Sequence, residues 1–63
     1  MKVKEVIKIL VEDGWYLSRT KGSHRQYKHK QKSGTVTVSG KLSVEVPIGT
    51  LKHIWRQAQM EDY

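Results

Sequence analysis

Val3, Val6, Ile7, Leu10 and Val11 recur at the i, i+3, i+4, i+7, i+8 spacing of one helical face, and Leu51, Ile54, Trp55 and Ala58 make a second such face near the other end of the chain. Lys4, Glu5, Lys8 and Glu12 occupy the opposite side of the first helix. A helix with one apolar stripe must bury that stripe against another layer. Two such helices need a common partner, and the segment between them supplies it as strands.

The first helix is expected over about Val3 to Asp13, closed by Gly14 as a left-handed cap. Trp15 to Thr20 reads as a strand with Trp15 and Leu17 on one face, Tyr16 and Ser18 on the other. Lys21-Gly22 signals a turn. Ser23 to Lys30 continues as a second strand, and Gln31 to Gly34 form the next turn. Thr35 to Ser39 alternates strictly and is β-branched, as a short strand should be. Gly40 to Val46 is a loop. Pro47 suits the opening of the second helix, with Thr50 as a rival N-cap, and that helix ends near Gln59 or Met60. The acidic tail after it is expected to fray.

The order is α-β-β-β-α. This predicts an α+β fold in which a three-stranded antiparallel sheet carries both helices on one face, an arrangement like that of double-stranded-RNA-binding domains. The 63 residues suffice for a single domain spanning 1–63. The expected core is Val6, Ile7, Leu10, Trp15, Leu17, Val36, Val38, Leu51, Ile54 and Ala58, with Trp55 at its edge. There is no cysteine, hence no disulfide framework and no thiolate metal site. No apolar run approaches the roughly 20 residues of a membrane span. The opening Met1-Lys2-Val3-Lys4-Glu5 leads into a charged amphipathic pattern rather than a signal peptide, so a cytoplasmic protein is expected.

The net charge is +6, and its distribution says more than its total. The six acids are Glu5, Glu12, Asp13, Glu45, Glu61 and Asp62. From Gly14 to Val44 there is none, while Arg19, Lys21, Arg25, Lys28, Lys30, Lys32 and Lys41 fall inside that window. A one-sign block of this kind points to a polyanion, most simply nucleic acid. Two-metal hydrolysis is disfavoured, since it needs clustered carboxylates. His24 and His29 are an odd number of residues apart and would face opposite sides of a strand, unable to share an ion. His53 reads as a surface residue of the second helix. Ser23 and His24 are adjacent and point apart, which argues against a nucleophile-base pair.

Metal-free acid-base chemistry remains. RNA brings its own nucleophile, the ribose 2′-hydroxyl. Histidine can move its proton, and lysine or arginine can stabilise the charged phosphorane. On an extended strand, His24, Gln26, Lys28 and Lys30 share one face. The residues alone leave catalysis and plain RNA binding equally open.

Four stretches carry a resemblance. "DGWYLSRTKGSHRQYKH" at 13–29, "VTVSGK" at 36–41, "GTLKHIWRQA" at 49–58 and the Lys-Glu-Val-Ile pattern of the first helix together resemble HicA-type toxins, the small ribonucleases of HicA–HicB toxin–antitoxin modules. The likeness covers nearly the whole chain. It implies a double-stranded-RNA-binding-like fold, metal-independent endonucleolytic cleavage of mRNA without a cofactor, and neutralisation by a HicB-type antitoxin in a type II module. His24 matches the family's catalytic histidine, and Gly22 and Ser23 match the residues that set it on its turn. Charge and facing add Lys21, Arg25 and Lys28 as phosphate-binding residues. Lys28, Lys21 or water could supply the general acid. Ser39, Lys41 and Gln59 depart from the proline, histidine and glycine that relatives often carry there. The rival readings are a non-catalytic RNA-binding module on the same fold and a protein-interaction domain whose basic face meets an acidic partner.

Overall fold

A computed structural model describes residues 1–60. The tail expected to fray, Glu61 and Asp62, lies outside the described residues. The elements are α1 (Val3–Glu12), β1 (Tyr16–Lys21), β2 (His24–Lys28), β3 (Val36–Ser39) and α2 (Ile48–Gln57). The strands form one antiparallel sheet in the order β1-β2-β3. This is the expected α+β fold. Val3, Val6 and Leu10 of α1, Ile54 and Trp55 of α2 and Val36 and Val38 of β3 are buried in one cluster, so both helices cover the same sheet face.

Local chemistry sets the helix ends. At the start of α1 the Glu5 carboxylate accepts the Lys2 backbone N–H at 2.8 Å, which also places a negative charge at the positive end of the helix. Both helices finish in the same way. Gly14 takes φ +103°, its N–H donates to the Val11 carbonyl, and the Trp15 N–H donates back to Leu10. In α2, Gln59 takes φ +58°, its N–H donates to Arg56, and the Met60 N–H donates to Trp55. These are Schellman motifs, and glycine is the residue that fits their left-handed position without strain. Gln59 holds the same conformation at a cost on the order of 1 kcal/mol, offset in part by its side-chain bond to the Ser33 carbonyl. At the other end of α2, Pro47 is the N-cap and Thr50 lies inside the first turn, so the rival start at Thr50 is not used.

Two core expectations need correction. Leu17 is half exposed, because both helices lie over β3 and neither reaches far enough to cover the outer strand β1. Trp55 is 3 % exposed and belongs to the centre, not the edge. Val3 and Tyr27 are also fully part of the core. Tyr27 pairs with Val36 across β2 and β3, which turns its ring to the helix side. Ile7 and Leu51 are partly buried against this core.

A polar hub closes the end of the core where both helices terminate. The Asp13 carboxylate accepts the Lys32 ammonium at 2.6 Å and the Trp15 indole N–H at 3.2 Å. Lys32 also donates to the Ala58 carbonyl at 3.2 Å, so one side chain joins the ends of α1 and α2. His29 sits beside it, 2.7 Å from the Asp13 carbonyl through Nε2. Its Nδ1 accepts the backbone N–H groups of Gln31 and Lys32. That pattern requires a neutral ring with its proton on Nε2. The imidazole meets the Trp15 ring edge-on at 5.1 Å. A Cβ at Gly14 would stand 2.7 Å from Nε2, so glycine there serves this contact as well as the helix cap. The second strand stops at Lys28 rather than Lys30 because His29 turns the chain into this hub.

Candidate active site on the open sheet face

Lys21 and His24 are the last paired residues of the β1–β2 hairpin, joined by the two-residue loop Gly22-Ser23. Gly22 takes φ +60° and Ser23 stays outside the left-handed region. This is the sequence and backbone pattern of a type II′ turn, which suits the twist of a hairpin and needs glycine at its first central position. The turn places Lys21 directly across from His24. Side chains so paired leave the same sheet face with Cβ atoms about 5 Å apart.

That face is the one without helices. Tyr27 and Val38 point to the core, so by alternation His24, Gln26, Lys28, Thr37 and Ser39 point away from it. Three rows cross the open face: Lys21, His24 and Ser39; then Arg19, Gln26 and Thr37; then Tyr16 and Lys28. His24, Lys21 and Lys28 are all exposed. Lys30 lies past the end of β2 and has no place in these rows.

Arg19 was named in the basic block, but neither it nor Tyr16 was assigned to the site by sequence reasoning. Simple alternation puts Arg19 on the side of Trp15 and Leu17. The register shifts between Leu17 and Arg19, leaving Ser18 as the extra residue of a β-bulge. The bulge turns Arg19 and Lys21 to the face that Tyr16 also occupies, a re-aiming that bulges commonly perform near functional sites. No glycine or proline marks Ser18, so a single chain offers no direct signal of it.

Of the cations assigned to phosphate, Arg25 stands apart. It pairs with Thr20 and Val38, on the helix side of the sheet, and its guanidinium donates to the Gly40 carbonyl at 2.9 Å. There it anchors the loop that follows β3. Lys32 is likewise engaged in the hub. Ser23 is exposed in the turn next to His24. His53 is exposed on α2. Among the described residues, no group of three or more His, Cys, Asp or Glu side chains converges as a metal site would require, and no helix is long and apolar enough to cross a membrane.

This fold and basic face belong to a chain whose class, a toxin of the toxin–antitoxin kind, is shown by a family match. The family model described as the HicA toxin of bacterial toxin–antitoxin systems matches residues 3–60, and the chain belongs to that family. No curated protein matches the sequence closely enough to be counted as a relative.

Proposed function

We propose that the protein is a metal-independent endoribonuclease that cleaves mRNA at its open sheet face, with His24 as the acid-base residue. The observation that carries this reading is the turn-imposed pairing of His24 with Lys21 on an uncovered, acid-free surface of a HicA-family chain. His24 takes the proton of a ribose 2′-hydroxyl. The 2′-oxygen attacks the adjacent phosphorus, and the bond to the 5′-oxygen breaks. That oxygen leaves with a proton from solvent or from the Lys21 or Lys28 ammonium. The products are a 2′,3′-cyclic phosphate and a 5′-hydroxyl. Lys21, Lys28 and Arg19 stabilise the added charge of the phosphorane, a contribution that grows where solvent is displaced by substrate. Gly22 and Ser23 act by holding the turn. An acidic antitoxin of the HicB type neutralises the toxin by covering the same cations, and charge complementarity would speed its capture.

The test is incubation of purified protein with RNA in EDTA, followed by analysis of fragment ends. Cyclic phosphate ends from the wild type, and none from His24→Ala, are expected. Salt-sensitive RNA binding without any cleavage would favour the non-catalytic module instead. A complex in which the antitoxin leaves Lys21 and Lys28 open would refute the proposed mode of inhibition.

A further inference from the structure

Four aromatic side chains of the Trp and Tyr types are described, and three of them, Trp15, Tyr27 and Trp55, are buried. The fourth, Tyr16, is 46 % exposed. It pairs with Lys28, so its ring stands on the open face at the far end from Lys21 and His24. The core does not use it. Its chain neighbour Trp15 fills the helix side, and no helix lies over the side where Tyr16 projects. Arg19 and Gln26 occupy the row between Tyr16 and His24.

We propose that Tyr16 is a nucleobase-stacking subsite and that the substrate is bound as single-stranded RNA laid across the open face. This rests on the ribonuclease reading given above and deepens it. A double helix offers a sheet surface only phosphates and 2′-hydroxyls, because its bases are already stacked on one another. A lone exposed ring gains nothing from such a ligand. A single strand has free base faces, and aromatic rings on sheets stack them without regard to which base is present. Cations interspersed with that ring hold the intervening phosphates, as Lys28 and Arg19 can here.

The geometry also sets a length. His24 and Lys28 are four residues apart on β2, about 13 Å at the usual rise of a strand. The base on Tyr16 and the phosphate at His24 therefore belong to different, non-adjacent nucleotides. A dinucleotide can be cut but cannot reach the stacking site.

The experiment uses the full chain carrying His24→Ala, so that RNA stays intact, and measures affinity for an oligouridylate of about ten nucleotides, within the usual site size of single-strand binders. Tyr16→Phe should bind as the parent does. Tyr16→Ala should bind roughly tenfold to a hundredfold more weakly. The salt slope should stay unchanged in both, because the slope counts phosphates neutralised and the ring neutralises none. Lys28→Gln should instead lower the slope. Should Tyr16→Ala prove poorly folded, Tyr16→Thr keeps a strand-forming residue without a ring and is expected to show the same loss. Equal binding by Tyr16→Ala or Tyr16→Thr, a slope that falls with the ring, or tighter binding of a duplex than of the single strand would each overturn the proposal. Stacking is read from binding and catalysis from cleavage by the chain with His24 intact, so the two readings fail separately.

Discussion

His29 and His24 are five positions apart and do unrelated work. His29 exchanges hydrogen bonds with three backbone groups, at Asp13, Gln31 and Lys32, and packs on Trp15. Truncating it leaves those groups without their partner. His29→Ala is expected to destabilise the protein by on the order of 2 kcal/mol. His24 is exposed and lies outside the buried core cluster, so His24→Ala should change stability by less than about 0.5 kcal/mol. Loss of an acid-base group typically costs about 10²- to 10⁴-fold in rate. Thermal melting and RNA cleavage below the melting temperature, measured on both variants, check this crossed pattern: His24→Ala folded and inactive, His29→Ala active but less stable. Asp13 supplies a pH dependence. The Lys32 ammonium bound to it, aided by the Trp15 N–H, holds its carboxyl below the ordinary carboxylate range. Its folded-state pKa is depressed, so the stability it contributes is fully present above the ordinary value near 4 and is lost as pH falls through the lowered one. Melting curves from pH 7 downward should fall more steeply below about pH 4 for the wild type than for Asp13→Asn. Glu45 is also held low, by the N-terminal ammonium, but that pair is exposed and adds little.

At the scale of elements, the bulge in β1 governs which cations reach the site. Two single-residue deletions separate its effects. Deleting Ser18 removes the extra residue and still leaves Arg19 opposite Gln26 and Lys21 opposite His24. Deleting Thr20 also restores a regular strand, but it brings Ser18 opposite Gln26 and sends Arg19 to the helix side. The first deletion should leave the salt slope of RNA binding unchanged, and the second should reduce its magnitude by about 0.7, the share of one phosphate on a single strand. Salt titrations of the two proteins, both checked for folding, decide it. The same elements explain what could be seen in advance. The helices were legible because Val3, Val6 and Leu10, and then Ile54 and Ala58, keep a helical period, and Gly14 announces a cap. The turn itself was legible from Gly22, but it lies one residue later than expected, at Gly22-Ser23 and not Lys21-Gly22, so the Lys21–His24 pairing came from the structure. Tyr27 was hidden among Arg25, Gln26 and Lys28, where polar neighbours mask alternation. Leu17 misled because alternation reports a face and not whether a helix covers it. Arg19 was placed by a bulge that has no compositional mark.

For the whole molecule, the sheet separates stability from chemistry. One face holds Tyr27, Val36 and Val38 under two helices, and the other presents Arg19, Lys21 and Lys28. Arg25 and Lys32 belong to the basic block in sequence but are spent inside the fold, so the electrostatic footprint is smaller than the charge count suggests. With three cations on the open face, the slope of log affinity against log salt for single-stranded RNA should be about −2. Titration over several salt concentrations measures it, and a slope near zero would remove nucleic acid as the ligand of this face. The hub at Lys32 has a further consequence, one of rates. It joins Asp13 to Ala58, contacts 19 and 26 residues away along the chain, and can form only when both helices have docked. Interactions that form after the barrier act on the rate of unfolding, not of folding. Lys32→Met should therefore raise the unfolding limb of the chevron and leave the folding limb in place, so that this one ammonium sets how long a folded molecule lasts rather than how fast it is made.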